Sequence, residues 1–353
     1  MDKLQDIIAK ITPLDDNIMT KVQTRLDTLT KPIGSLGALE SLAKQFVGAR
    51  KTLTPAAPHK AIVLMAADHG VAIENVSAYP QEVTEQMIYN FCSGGAAINV
   101  LAKHTNADLI LVDVGVTAEL PAHLPILHRK VRHGTNNIRC GAAMSETDVM
   151  QAIHIGVDIA NSLIDNGIQV IGLGEMGIGN TTVSSAIASV LMDKSPSEVT
   201  GVGTGLDDKL LAHKVNVVSE AIAINNPNAN DVIDVLTKVG GLEIASLTGV
   251  ILAGACRNVL IIIDGFIAST AALAAYRLCP DVKDYFIAAH LSPEPGHNVI
   301  LQELSLTPLL YLQMRLGEGT GAALGMTILD ASLKILNEMA TFDEAKVASA
   351  LTD

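Results

Sequence analysis

The run Ala61-Ile62-Val63-Leu64-Met65-Ala66-Ala67, followed directly by Asp68-His69-Gly70, decides how the rest of the chain folds. An apolar run that ends in polar residues and a glycine is typical of a strand buried on both faces of a parallel sheet. Similar apolar runs follow it, and helical stretches separate most of them: 108–115, 169–175, 258–265 and 285–290. This alternation predicts an α/β fold with a doubly wound, mostly parallel sheet.

The two ends of the chain carry helical periodicity instead of short apolar runs. A linker rich in proline and alanine, 54–58, separates the first helices from the first predicted strand. We therefore predict that residues 1–58 form part of a small helical domain and residues 59–321 form the α/β domain. Residues 322–353 are expected to be helices that pack back on the small domain.

Composition excludes several classes of protein. The formal net charge is −13 with no basic cluster, so a nucleic-acid-binding groove is not expected. The four cysteines form no C-x-x-C pair, which argues against a disulfide framework or a zinc site. The most apolar region, 250–278, is interrupted by Arg257 and Asp264 and does not predict a membrane span. With no signal-peptide pattern at the N-terminus, we predict a soluble cytoplasmic protein.

Acidic residues stand beside glycines where most of the predicted strands end. The pairs are Asp68/Gly70, Asp113/Gly115, Glu175/Gly177 and Asp264/Gly265. Ligands of open α/β sheets bind outside the carboxyl ends of the strands, so these side chains are expected to line one crevice. A further carboxylate, Glu318, stands among glycines in Leu316-Gly317-Glu318-Gly319-Thr320-Gly321, where the backbone can approach a ligand closely.

Two glycine-rich loops suit a phosphate group. In Glu175-Met176-Gly177-Ile178-Gly179-Asn180-Thr181-Thr182, glycines free the backbone amides at a predicted helix start, which is a ready anion site. The second loop is Thr200-Gly201-Val202-Gly203-Thr204-Gly205, and Lys214 can add a cation near either loop. Neither loop has a Walker lysine or a complete G-x-G-x-x-G pattern, so a mononucleotide phosphate is the better match.

Two further segments are candidates for the walls of the site. Tyr79 and Pro80, together with Gln86 and Met87 on the helix that follows, suit an aromatic ring. The segment 290–297 contains two histidines, but its spacing matches no zinc pattern. We therefore predict a ligand-lining loop there, with no metal and no cofactor.

Several of these motifs occur together in one order, and as a set they resemble a known enzyme family. The family is nicotinate-nucleotide–dimethylbenzimidazole phosphoribosyltransferase, which builds the lower nucleotide loop of cobalamin. The strings that carry the resemblance are Lys31-Pro32-Ile33-Gly34-Ser35-Leu36-Gly37, Asp68-His69-Gly70, Pro80-Gln81-Glu82-Val83-Thr84, Gly174-Glu175-Met176-Gly177-Ile178-Gly179-Asn180-Thr181-Thr182, Asp264-Gly265 and Arg315-Leu316-Gly317-Glu318-Gly319-Thr320-Gly321.

The resemblance implies a Rossmann-like domain, a small helical domain from both chain ends, and a homodimer. It implies transfer of phosphoribose from nicotinate mononucleotide to 5,6-dimethylbenzimidazole, with Glu318 as the catalytic base. Glu175 is expected to stabilise the ribosyl cation or to hold the ribose hydroxyls. The expected nucleotide-binding residues are Gly177, Gly179, Asn180, Thr181, Gly203, Thr204, Lys214, Asp264, Gly265 and Ser292, and the expected base-binding residues are Tyr79, Pro80, Gln86, Met87 and Leu316.

Three alternatives remain open on the sequence. A nicotinamide-dependent dehydrogenase needs G-x-G-x-x-G after the first strand, where this chain has Asp68-His69-Gly70-Val71-Ala72. A nucleotide-binding regulatory homologue without turnover would keep the fold and the glycine loops. The same chemistry with another base, such as adenine, a different benzimidazole or a phenolic compound, would need only small changes around the ring-binding residues.

Overall fold

A computed structural model describes residues 3–203 and 205–348. Six strands form one sheet with every pairing parallel, in the order β3-β2-β1-β4-β5-β6. The strands are β1 (Lys60–Ala67), β2 (Ala107–Gly115), β3 (Leu127–His128), β4 (Val170–Met176), β5 (Leu260–Ile263) and β6 (Phe286–Ala288). This is the doubly wound order of a Rossmann-like fold, in which the chain reverses direction across the sheet between β1 and β4. The predicted fold class is confirmed.

Fifteen α-helices lie in the described ranges. They are α1 (Lys3–Ile8), α2 (Asp16–Thr28), α3 (Ala38–Arg50), α4 (Val83–Cys92), α5 (Ala97–His104), α6 (Glu146–Asp165), α7 (Asn180–Met192), α8 (Pro196–Val199), α9 (Asp208–Asn225), α10 (Val232–Val239), α11 (Leu242–Cys256), α12 (Phe266–Leu278), α13 (Pro295–Glu303), α14 (Thr320–Glu338) and α15 (Phe342–Ala345). None of the helices in the described residues is both long enough and apolar enough to cross a membrane.

The five longer strands occur where the apolar runs predict them, because a central strand has no polar face. Every residue of β1 and of β5 is buried. The prediction missed β3, whose two residues are both exposed and form no apolar run. The apolar region 250–278 is the end of α11, then β5, then α12, and all three elements are almost wholly buried.

Glycines let two helices pack closely on their neighbours. A Cβ on Gly156 of α6 would lie 1.8 Å from the carbonyl oxygen of Ser246, and one on Gly249 of α11 would lie 2.0 Å from that of Ile153. Helices α6 and α11 therefore approach backbone to backbone beside the sheet. In β4, a Cβ on Gly172 would meet the side chain of Met326, which shows how closely α14 packs on the sheet.

The chain ends meet in a second, smaller apolar cluster. Its buried members come from α2 and the residue after it, from α3 and from the end of α14: Val22, Leu26, Leu29, Ala43, Val47 and Leu336. A buried ion pair links the connection after α2 to α3, with Lys31 Nζ 2.8 Å from Glu40 Oε1. The first part of α14 belongs to the large core under the sheet, with Ala322, Ala323 and Met326. The domain boundaries at 58/59 and 321/322 stay a prediction.

Candidate active site

A cavity of about 390 Å³ lies at the carboxyl ends of the strands. Its walls come from the ends of β4, β5 and β6, from the segment before α4, and from the loop before α14. Of the sequence-predicted residues, those in the lining are Tyr79, Met87, Glu175, Gly177, Gly179, Asn180, Thr181, Gly203, Gly265, Ser292, Leu316 and Glu318. A cavity does lie at this edge of the sheet, and both candidate catalytic carboxylates face it. The expectation that all four strand-end acids line it is wrong, because Asp68, Asp113 and Asp264 lie outside the lining. The Asp68 carboxylate accepts the Thr117 N–H, and that of Asp113 accepts the N–H groups of Gly115 and Val116, so both acids hold loop backbone instead.

Glu318 sits in a backbone conformation that is unusual for a residue with a side chain. Its φ is +63°, between Gly317 and Gly319, which both have a φ of +87°. Three successive left-handed residues turn the chain sharply into α14 and aim the carboxyl group at the cavity wall. Burial raises the pKa of Glu318, with Asp264 adding to the rise and a hydrogen bond from the Ile98 N–H opposing it. A carboxylate with a raised pKa is a better general base near neutral pH.

Glu175 is the second-to-last residue of β4, and its carboxyl group accepts a hydrogen bond from the backbone N–H of Glu318. Its Oε2 accepts a hydrogen bond from Asn180 Nδ2 at 2.5 Å. Burial, together with the charges of Asp264 and Glu243, raises the pKa of Glu175 to about 8. A Cβ on Gly317 would lie 2.4 Å from Glu175 Oε1, so only glycine fits at that position while this carboxyl group stays in place.

Asp264, which follows β5, holds the loop that carries Glu318. Its Oδ2 accepts from the Gly319 N–H at 3.0 Å, and its Oδ1 accepts from the N–H groups of Gly321 at 2.6 Å and Ala322 at 3.2 Å. Asp264 is almost fully buried and is not part of the cavity lining. In the structure it neutralises the N-terminus of α14, while contact with a nucleotide stays a prediction.

The N-terminus of α7 opens on the cavity. Gly179, with a φ of +97°, precedes this helix, and no side chain of its own caps it. Gly177, Gly179, Asn180 and Thr181 all line the cavity beside it. Backbone amides and the helix dipole therefore face the space where the sequence places a phosphate.

Three charged side chains form hydrogen bonds with the backbone of the second glycine loop. Lys214 Nζ donates to the Gly201 carbonyl at 3.1 Å and to Thr181 Oγ1 at 2.8 Å. Glu294 Oε1 accepts from the Gly203 N–H at 2.8 Å, and Arg315 Nη1 donates to the Gly203 carbonyl at 3.2 Å. The Gly203 amide, an expected phosphate donor, is thus already bonded to a carboxylate. Thr204, another expected phosphate ligand, lies outside the described residues.

Lys214 stands behind this loop. Its side chain has no exposed surface and does not line the cavity. Burial lowers the pKa of Lys214 to about 8, although the nearby Glu294 works in the opposite direction. The lysine therefore acts on Thr181 and Gly201 in this structure, and its contact with phosphate stays a prediction.

An apolar wall suits the predicted ring-binding role. Tyr79 and Leu316 line the mouth of the cavity with more than half of their surface exposed. Val83 and Met87, one helical turn apart on α4, line it further along. Pro80 and Gln86 are exposed and lie outside the lining, so the structure does not bring them to the cavity.

Two buried histidine clusters flank the cavity. His290 is part of the lining, and its Nε2 lies 3.5 Å from Asp264 Oδ1. His297 Nδ1 accepts the Ser292 N–H, and burial beside His290 lowers the pKa of His297 to about 3, so it stays neutral. Behind Gly177, His69 Nε2 lies 3.0 Å from Glu243 Oε1. Burial works against protonation of His69, but the Glu243 carboxylate outweighs it and the pKa is raised.

These clusters do not make a metal site. Within the described ranges, no group of three or more His, Cys, Asp or Glu side chains is arranged to hold a metal ion.

Sequence reasoning missed some of the cavity wall. Among the residues it did not assign are Ser77, Val83, Met176, Ile178, Phe266, Ile267, Arg315 and Gly317. His290 and Glu294 lie in the segment 290–297 that was expected to line the ligand, but neither was given a role. Phe266 and Ile267 begin α12, and their apolar side chains carry no signal that separates them from core residues. Glu294 and Arg315 do carry a signal, because each is a charged residue within a segment already singled out as lining the site.

Comparisons with known proteins agree over nearly the whole chain. A family model described as phosphoribosyltransferase matches residues 11–347. Nicotinate-nucleotide–dimethylbenzimidazole phosphoribosyltransferase from Roseiflexus sp. (strain RS-1) is 50% identical over 348 residues, with 99% of each chain covered. The protein of the same name from Chloroflexus aurantiacus is 51% identical over the same length and coverage.

Solved structures give the same result. The crystal structure of CobT from Thermus thermophilus superposes with a TM-score of 0.91 at 41% identity, covering 95% of this chain and all of that one. Similarity to these phosphoribosyltransferases over nearly the whole chain argues against the alternative of a nicotinamide-dependent dehydrogenase. The chain belongs to the phosphoribosyltransferase family whose model spans residues 11–347.

Proposed function

We propose that this enzyme transfers the phosphoribosyl group of nicotinate mononucleotide to 5,6-dimethylbenzimidazole, giving α-ribazole 5′-phosphate and nicotinate. The observation that carries the proposal is the full-length similarity, at about half identity, to enzymes named for these two substrates. The cavity supports it with an amide-lined helix N-terminus, an apolar wall and two carboxyl groups with raised pKa values.

Glu318 is the general base of the proposed reaction. One ring nitrogen of the benzimidazole attacks the anomeric carbon, and the bond from that carbon to the nicotinate nitrogen breaks with its electron pair leaving on nicotinate. The other ring nitrogen loses its proton to the Glu318 carboxylate, so the product is neutral at the ring. The leaving group departs from a pyridinium cation and needs no acid. A base of this kind contributes roughly 10²–10⁴-fold to the rate.

Glu175 has a protonation state that depends on the substrate. With its pKa raised to about 8, the side chain is mostly protonated at neutral pH in the unliganded protein. In that form it is able to donate a hydrogen bond to a ribose hydroxyl when the nucleotide binds. A bound pyridinium, and then the developing ribosyl cation, favours the carboxylate form through direct charge attraction. Glu175 therefore becomes negatively charged when positive charge develops on the ribose. Glu294 and Glu318 line the same cavity.

The test is release of nicotinate on incubation with both substrates, followed by chromatography. Wild-type protein is expected to turn over, and Glu318→Gln is expected to lose about 100-fold or more because the amide accepts no proton. Glu338→Gln serves as the matched control, since Glu338 is exposed at the other end of α14. Turnover of Glu318→Gln within about tenfold of wild type would remove Glu318 as the base.

The same assay separates the alternatives. Binding of nicotinate mononucleotide without nicotinate release, whatever base is added, would point to a regulatory homologue that has kept the fold. A panel of adenine, other benzimidazoles and phenolic compounds in competition would identify the preferred base. A cytoplasmic homodimer also stays a prediction, and light scattering of the purified protein would test the dimer.

A further inference from the structure

A buried ion pair lies directly behind the loop that follows Glu175. His69 comes two residues after β1, Glu243 is in the first turn of α11, and neither side chain has exposed surface. His69 Nε2 lies 3.0 Å from Glu243 Oε1. The described residues offer no hydrogen-bond partner to His69 Nδ1 or to Glu243 Oε2. A buried ion pair often stabilises a fold no better than apolar side chains of similar volume, so stability alone does not account for this one.

The loop after β4 rests on the His69 side chain. A Cβ on Gly177 would lie 3.0 Å from His69 Nε2, and one on Gly179 would lie 3.5 Å from His69 Cβ. On the side of α11, a Cβ on Gly241 would lie 2.6 Å from His69 Cε1. The imidazole is therefore enclosed between two stretches of backbone that approach it closely because they carry no side chains there. A smaller side chain in place of His69 would leave the loop without this support.

A shift of this loop would move Glu175. Asn180 Nδ2 donates to Glu175 Oε2 at 2.5 Å, so a side-chain hydrogen bond closes the segment 176–179 into a ring. The residues of that segment line the cavity, whereas His69 and Glu243 do not. The ion pair is therefore one layer behind the cavity wall, and it acts on Glu175 through the loop.

The charges of the pair and of Glu175 also influence one another. Burial raises the pKa of Glu175, and the carboxylates of Asp264 and Glu243 raise it further. Burial works against protonation of His69, but the carboxylates of Glu243 and Asp68 outweigh it, so the pKa of His69 is raised. Replacing the Glu243 carboxylate with an amide is therefore expected to lower the pKa of both Glu175 and His69.

We propose that His69 and Glu243 are positioning residues, whose ion pair fixes the loop after β4 and through it the Glu175 carboxyl group at the cavity wall. The inference rests on the proposed function for the reaction in which Glu175 takes part. Neither residue is catalytic, because neither side chain faces the cavity.

The first test is steady-state turnover, with release of nicotinate as the readout. In His69→Ala and Glu243→Ala, kcat is expected to fall on the order of 10- to 100-fold, because small displacements of groups that act on the substrate are costly. KM for 5,6-dimethylbenzimidazole is expected to change by less than about twofold, because the apolar wall on α4 does not rest on the pair. Glu243→Gln is expected to recover most of the loss in kcat, because its amide oxygen still accepts a hydrogen bond from the imidazole.

The matched control is an ion pair at the other end of the same strand, between Lys60 and Asp330. Asp330→Ala is expected to lower the midpoint of urea unfolding and to leave kcat of the folded protein unchanged. A purely structural role of the His69–Glu243 pair predicts the same pattern for the two alanine variants. Unchanged kcat in folded His69→Ala and Glu243→Ala, or an equal loss in Asp330→Ala, would therefore overturn the proposal.

The second test needs no turnover, and it decides the matter if the alanine variants do not fold. A raised pKa in the folded state gives stability that is present at low pH and is lost as the pH rises, from above pH 4.5 for Glu175 and from above pH 6.5 for His69. Both pKa values are expected to fall in Glu243→Gln. Between pH 6.5 and 8, its urea midpoint should therefore decline less than that of wild type.

The same profiles show whether the pair acts on Glu175. Introducing Glu175→Gln into both proteins is expected to reduce the difference between their slopes, because one of the two groups that respond to Glu243 is then absent. Parallel profiles for wild type and Glu243→Gln, or a difference that Glu175→Gln does not alter, would overturn the proposal. Wild type that releases no nicotinate but shows these pH effects would overturn the proposed function and leave the link between the pair and Glu175 standing.

Discussion

Two helices at the carboxyl edge of the sheet begin in the same way and end up with different partners. Both α7 and α14 follow a left-handed glycine, Gly179 and Gly319, and both begin within five residues of a candidate catalytic glutamate. At α14 the carboxylate of Asp264 accepts three backbone N–H groups. At α7 the described part of the chain contributes no side chain that accepts from the N–H groups of Asn180, Thr181 or Thr182, and the first residues of the helix line the cavity.

At α14 the protein itself supplies the negative charge, through Asp264. At α7 that charge is left to a bound ligand. A helix N-terminus favours negative charge, and an unfilled one beside a cavity is a binding site for an anionic ligand. Asp264 makes the α14 end a fixed part of the fold, which keeps the Glu318 loop in one conformation. The α7 end is available to a phosphate group.

The largest effect on stability is expected from removing the Asp264 carboxylate, which accepts the N–H groups at the start of α14. Asp264→Ala leaves buried N–H groups of Gly319, Gly321 and Ala322 without an acceptor, and unsatisfied buried donors are costly. We expect the free energy of unfolding to fall by about 3 kcal/mol or more, measured by urea denaturation. Asp264→Asn is the control, because its amide oxygen keeps one acceptor, and it should lose less. A loss below about 1 kcal/mol for Asp264→Ala would show that the α14 terminus does not depend on this side chain.

A smaller effect is expected from giving each helix start a side chain. Gly319→Ala adds left-handed strain and places a Cβ 2.9 Å from Ile62 Cγ2 and 3.2 Å from the backbone of Gly174. Gly179→Ala adds similar strain, but its nearest neighbour is 3.5 Å away. We expect about 2–3 kcal/mol for Gly319→Ala and about 1 kcal/mol for Gly179→Ala in thermal or urea unfolding. Equal costs would mean that packing around α14 is looser than the structure indicates.

The last effect depends on pH and concerns the carboxyl group of Glu175. The folded pKa of Glu175 is raised from 4.5 to about 8, so the native state keeps a proton that the unfolded chain has released above pH 4.5. Stability from this group is therefore present below pH 4.5 and is lost as pH rises toward 8. Between pH 6.5 and 8 we expect wild type to lose about 2 kcal/mol relative to Glu175→Gln in urea unfolding. Parallel pH profiles for the two proteins would contradict the raised pKa.

The sequence predicts the sheet well because buried parallel strands need uninterrupted apolar residues. It singles out Glu175 and Glu318 for a different reason, since a carboxylate close to several glycines has few purely structural uses. It does not separate Gly203, whose amide is already bonded to Glu294, from amides that are free. Nor does it place Lys214 behind the cavity and Arg315 in front, because that depends on how α9 and the loop before α14 pack together.

Gly317 helps to predict from sequence whether a relative of this protein has kept the same site. Its missing side chain is the space into which Glu175 Oε1 extends, and its left-handed φ passes directly into that of Glu318. A relative with any other residue at this position cannot keep both carboxyl groups where they are here, even if both glutamates remain. Comparing relatives by their acidic residues alone would count such a protein as active. Gly317 is therefore to be compared together with the two glutamates, because a side chain there would displace the Glu175 carboxyl group.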